Sequence, residues 1–203
     1  VFHVPESGGP QAAPGMRIGL FGGSFDPPHE GHLEIARAAL RRLGLDAVWW
    51  LVTPGNPLKQ NGASAPLAER VAAARRLASH PRFVVTDIEA RLGTRFTVET
   101  VRRLRERYAG VRFVWIMGAD NLERFDRWFG WRDIANSTPI AVFSRPGSVL
   151  KAPLSPAAQT LRAHRRPSSS ARRLADETAP AWIYFARTRN PASSTAIREN
   201  GGR

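Results

Sequence analysis

From Met16 onward, short runs of β-branched and aromatic residues alternate with segments of helical period, which is the pattern of βαβ units built around a parallel sheet. Arg17 to Phe21 reads as a first strand. Glu30 to Leu43 reads as a helix, with Leu33, Ala36, Leu40 and Leu43 on one face and Gly44 as its C-cap. Ala47 to Thr53 is a second, buried strand. A turn-rich loop follows, then a helix from Leu67 to Ala78 that carries Val71, Ala74 and Leu77 inward. Phe83 to Thr86 is a third strand, Val98 to Tyr108 a third helix and Val111 to Met117 a fourth strand. Ile140 to Phe143 and Trp182 to Phe185 look like further strands, separated by a basic stretch expected to be helical with a Ser-rich interruption near Ser168. The fold class is therefore α/β.

At 203 residues the chain suits one domain, expected over 16–203, with a flexible tail over 1–15. The absence of cysteine excludes a disulfide framework, a thiolate metal site and a cysteine nucleophile, and makes the reducing cytoplasm the natural compartment. A formal charge of +13 favours anionic partners without choosing among them. No run of five or six basic residues points to nucleic acid, and no apolar stretch approaches the ~20 residues that span a bilayer. Homo-oligomerisation is left open.

The most informative segment is Gly22-Gly23-Ser24-Phe25-Asp26-Pro27-Pro28-His29-Glu30-Gly31-His32, which leaves the first strand and enters the first helix. Open α/β sheets bind ligands at that location. Two glycines allow a ligand to approach the backbone, and a helix start offers N–H groups and partial positive charge to an anion. His29 and His32, three apart, can turn their rings to one side and converge on a phosphate. Either histidine alone could equally cap or pack, and a zinc site would need a third ligand that is not nearby. Glycines, prolines and both histidines within one turn favour the ligand reading.

This turn resembles the GG[ST]FDPxHxGH signature of the HxGH nucleotidyltransferase superfamily. The resemblance implies a Rossmann-like parallel sheet with helices on both faces, an ATP site at Gly22, Gly23, Ser24 and Phe25, and transition-state stabilisation by His29 and His32. Near the other end, Ser193, Ser194, Thr195 and Arg198 are similar to the superfamily's ISSTxIR motif, which implies contacts with the β and γ phosphates. By spacing alone they form a helix start with Ser194 as N-cap.

Further segments resemble the nicotinate mononucleotide adenylyltransferase branch. Lys59 sits where that branch has a loop lysine directed at the reacting phosphates. Gly118 and Asp120 resemble its GxD element at the ATP ribose. Thr97, Trp128, Phe129 and Arg145 fall in motifs that imply the nicotinate mononucleotide side, with Trp128 stacked on the pyridine ring; by sequence alone Thr97 is a helix N-cap. Trp49, Trp50, Trp131 and Trp182 are expected in the core. The implied co-substrate is ATP, with Mg²⁺ carried on its phosphates and no protein metal site. Nicotinamide mononucleotide and phosphopantetheine remain alternative acceptors, and a basic nucleic-acid-binding domain is the non-enzymatic alternative.

Overall fold

The computed structural model describes residues 9–55, 65–144 and 151–186. Among these, six strands form one sheet: β1 (Arg17–Gly23), β2 (Ala47–Val52), β3 (Phe83–Thr86), β4 (Arg112–Gly118), β5 (Ile140–Phe143) and β6 (Trp182–Phe185), in the order β3-β2-β1-β4-β5-β6. Every neighbouring pair is parallel. The order reverses between β1 and β4, so the loops leaving these two strands part to opposite sides and open a crevice at their carboxyl ends.

Helices α1 (Glu30–Arg42) and α2 (Leu67–Leu77) follow β1 and β2; α3 (Ile88–Leu92) and α4 (Thr97–Arg107) follow β3. After β4 come α5 (Ala119–Leu122) and α6 (Trp131–Ser137), and α7 (Pro156–Thr160) lies between β5 and β6. Because side chains alternate across a strand, the sheet has two apolar faces. On one, Ile18, Leu20, Trp49, Trp115 and Met117 pack with Val101 and Leu104 of α4 and Ile134 of α6. On the other, Phe21, Val48, Trp50, Val114 and Ile116 pack with Leu33, Ala36 and Leu40 of α1 and Val71 and Ala74 of α2. Both faces are thus covered by helices, as expected of an α/β sheet. Trp49, Trp50, Trp131 and Trp182 are all buried, and truncating a buried Trp to alanine costs about 3–5 kcal/mol.

Four expectations change. Residues 9–15 are not a free tail: the Tyr108 hydroxyl donates to the Pro10 carbonyl at 2.9 Å, and Gly15 N–H donates to the Gly110 carbonyl at 2.8 Å. Gly44 is not the C-cap of α1 but the residue after it, where the chain turns left-handed at φ +62. Thr97 is the first residue of α4 and Phe96 its N-cap. The N–H groups of Arg95 and Phe96 are taken by the Glu99 carboxylate at 3.0 and 3.2 Å, so a glutamate one turn on does the capping. Last, the basic stretch has no Ser-rich break. Ser168–Asp176 is one run of 3₁₀ turns that begins with those serines, pinned by buried Ala171 and Leu174.

Candidate active site

The loop from β1 to α1 packs closely on aromatic rings. A Cβ at Gly22 would lie 2.7 Å from the Trp115 ring, and one at Gly23 would lie 3.1 Å from the Phe25 ring. The chain's own packing therefore already favours glycine strongly at 22 and leaves little room for a side chain at 23, a constraint that their reading as ligand-approach residues does not include. Phe25 adopts a left-handed φ of +47, which a bulky residue takes only when its surroundings over-determine it. Its ring is buried, 5.0 Å from the Trp50 ring and 5.5 Å edge-on to Phe21. The Phe25 side chain thus forms the floor of the loop.

On that floor stand the two histidines. His29 occupies the N-cap position of α1 with extended backbone and is buried, whereas His32 is half-buried one turn later. Their ring centroids are 3.8 Å apart at an interplanar angle of 32°, and the Phe25 ring lies 5.0 Å from His32. The two rings thus lie side by side, as their spacing of three allows. The His29 N–H donates to His32 Nδ1 at 3.2 Å. A neutral His32 with an accepting Nδ1 carries its proton on Nε2, so that nitrogen is a donor.

Beside this loop, β4 ends at Gly118, the N-cap residue of α5, with Asp120 exposed in the first turn. A Cβ at Gly118 would collide with the Asp120 carboxylate, so the absence of a side chain at 118 lets that carboxylate lie against the strand end. Since β1 and β4 are hydrogen-bonded neighbours, residues 22–32 and 118–120 emerge side by side at the switch point.

Of the predicted acceptor residues, Thr97, Trp128 and Phe129 gather as a second group. The Phe96 and Phe129 rings lie 4.7 Å apart, and a Cβ on Gly130 would touch Val98 at 3.0 Å, which brings Thr97 near the 128–130 turn. Trp128 is half-buried, with its ring edge-on to Phe125 at 5.4 Å and to Trp115 at 6.3 Å. Trp115 therefore touches both groups: it packs under Gly22 and against Trp128. Lys59, Arg145, Ser193, Ser194, Thr195 and Arg198 lie outside the described residues.

The cytidylyltransferase-like family model matches residues 20–200, nearly the whole chain. The chain belongs to that family. Relatives in a Ruegeria and a Caulobacter species, each named "probable nicotinate-nucleotide adenylyltransferase", are 53% and 56% identical. The first match covers 92% of this chain and 98% of the relative, the second 90% and 97%. Among solved structures, Plasmodium falciparum nicotinic acid mononucleotide adenylyltransferase complexed with NaAD superposes with a TM-score of 0.67 at 13% identity, covering 91% of this chain and 83% of that chain. The same enzyme complexed with APC gives 0.66 at 12%. Likeness at such identity speaks for a shared fold.

Two residues of this family member escaped sequence reasoning. Arg70 is buried in α2, and its guanidinium reaches four main-chain carbonyls around the site. The available signal was an arginine at positions four and seven before Ala74 and Leu77, on the inward stripe. Glu89 is buried in α3 beside Thr53; burial pushes its carboxyl up to about 7, and a hydrogen bond with Thr53 opposes the rise. A five-residue helix carries too little periodicity to announce it.

Proposed function

We propose that this chain transfers the adenylyl group of ATP to nicotinate mononucleotide, releasing pyrophosphate and forming nicotinate adenine dinucleotide for NAD biosynthesis. The observation that carries this reading is the close pair of His29 and His32 rings above the switch point, in a chain matched over nine-tenths of its length by relatives named for nicotinate-nucleotide adenylyl transfer. An oxygen of the acceptor's 5′ phosphate attacks the α-phosphorus in line. The new P–O bond forms as the bond to the β-phosphate bridge breaks, and no covalent enzyme intermediate is needed.

The chain's part is to position two anions that repel each other and to offset charge as it develops. The His32 Nε2–H and the His29 imidazole are assigned to the phosphates, with the main chain of Gly22, Gly23 and Ser24 lining the crevice. Asp120 is assigned to the ATP ribose, and Thr97, Trp128 and Phe129 to the acceptor. Lys59, Arg198 and the hydroxyls of Ser193, Ser194 and Thr195 are proposed to complete the phosphate cradle, and Arg145 the acceptor side. At an effective dielectric of about 20, one unit charge 4 Å from another is worth roughly 4 kcal/mol, so a few such donors suffice for most of the rate.

Mg²⁺ is proposed to arrive on the triphosphate. The described residues contain no group of three His, Cys, Asp or Glu side chains placed to hold a metal, and no step is routed through the ion. No helix among them is long and apolar enough to cross a membrane, and a cytoplasmic location is proposed with the pathway.

The test is to incubate purified protein with ATP, Mg²⁺ and, separately, nicotinate mononucleotide, nicotinamide mononucleotide and phosphopantetheine, measuring pyrophosphate. The reading predicts fastest release with nicotinate mononucleotide. A preference for phosphopantetheine would overturn it.

A further inference from the structure

We propose that Arg70 is a positioning residue for adenylyl transfer, locking the loop that carries His29 and His32 to the loop that opens at Thr53. The inference rests on the proposed reaction for its kinetic effect and on geometry for the lock itself. Arg70 is 4% exposed. Its Nε–H donates to the Ala65 carbonyl at 2.8 Å, one terminal nitrogen donates to Ser24 and Thr53 at 2.8 Å each, and the other donates to Pro54 at 3.2 Å.

These acceptors belong to three separate pieces of chain. Ser24 is in the turn between β1 and α1, Thr53 and Pro54 follow β2, and Ala65 lies at the approach to α2. Four of the five guanidinium N–H groups are thereby spent on loop backbone, in a rigid planar fork that a lysine ammonium cannot reproduce. Burial works against the charge and lowers the Arg70 pKa, while the nearby Asp26 carboxylate opposes that effect. A buried cation used in this way serves shape: it sets where the Gly22–His32 turn stands relative to the segment that begins at Thr53.

The consequence is kinetic. Replacing Arg70 moves the imidazoles away from the reacting phosphates, and small misplacements of a catalytic group cost on the order of a hundredfold in rate. A merely structural arginine would instead lower stability and leave the turnover of the folded fraction intact.

Arg70→Lys and Arg70→Ala are each measured below their own unfolding temperature, beside the wild type. For Arg70→Lys, kcat is expected to fall about a hundredfold with little change in either KM. Millimolar guanidinium is expected to restore much of the kcat of Arg70→Ala. Independently of any acceptor, the ligand-free imidazole NMR resonances of His29 and His32 should shift in Arg70→Lys while those of His80 and His164 stay in place. Unmoved His29 and His32 resonances would overturn the proposal even if the wild type used none of the acceptors, a result that by itself would sink only the proposed reaction. Wild-type kcat in folded Arg70→Lys would overturn it as well.

Discussion

The two ends of the sheet treat charge in opposite ways. At the amino ends, Arg17 and Arg112 begin β1 and β4 as direct register partners, a like-charge pair that would destabilise the sheet if left alone. Asp176 answers both, at 2.8 Å to Arg17 and 2.5 Å to Arg112, and the Arg17 N–H is met by Asp46 at 2.7 Å. At the carboxyl ends, Arg70 spends its guanidinium on main-chain carbonyls, Glu89 is buried with its pKa raised, and Phe25 holds a left-handed backbone. The amino ends are arranged for stability by exposed ion pairs. The carboxyl ends accept burial and strain to hold loops in place, the pattern expected where ligands are handled.

That contrast can be broken by mutation, most sharply at the histidines. His32→Ala should lower turnover by about two to three powers of ten with the unfolding temperature unchanged. A loss of stability with normal turnover would place His32 with the structural residues instead.

Glu89→Gln tests burial at the same end. The native carboxyl titrates near 7 rather than 4.5, so the folded protein binds this proton more tightly than the unfolded chain. The penalty is absent below the unfolded value, grows as pH rises between the two, and is full above the folded one, where it amounts to about 3 kcal/mol. Denaturant midpoints should show Glu89→Gln more stable than wild type at alkaline pH, with the gap closing towards the unfolded carboxyl's pKa.

Trp128→Ala should raise the KM for nicotinate mononucleotide several-fold, in keeping with about 1 kcal/mol for a stacked aromatic, and leave the KM for ATP alone. The smallest effect belongs to the amino ends. Asp176→Asn should cost about 1 kcal/mol of stability with turnover intact. Burial pushes the Asp176 carboxyl up, but hydrogen bonds from Arg112 and Arg17 outweigh it and hold the pKa below its usual value. Its contribution is therefore present above the unfolded pKa and fades as pH falls through the folded one, which chemical denaturation across acid pH would reveal.

Much of the fold was legible because its strands are buried on both faces and read as continuous apolar runs; Ala47–Val52 and Trp182–Phe185 are buried throughout. The long helices α1, α2 and α4 announced themselves by spacing. The short helices α3, α5, α6 and α7 did not, because one or two turns carry no usable period and their positions are set by what they pack against. The histidine pair was legible since both rings sit in one turn of sequence. Arg70 and Trp115 were not, for their roles depend on residues brought together across the fold: Ser24 with Thr53 in one case, Gly22 with Trp128 in the other. The glycines of the turn were visible in the sequence, yet the packing of Gly22 against Trp115 is a non-local fact.

The central claim is that the crevice at the carboxyl ends of β1 and β4 receives the triphosphate against His29 and His32. It is tested most directly by following the imidazole NMR resonances as a non-hydrolysable ATP analogue with Mg²⁺ is added to the wild-type protein. His80, at the entrance of β3, and His164, before β6, serve as internal references. Saturating shifts are expected at His29 and His32 with His80 and His164 unmoved. Saturation of binding with the His29 and His32 resonances unchanged would contradict it.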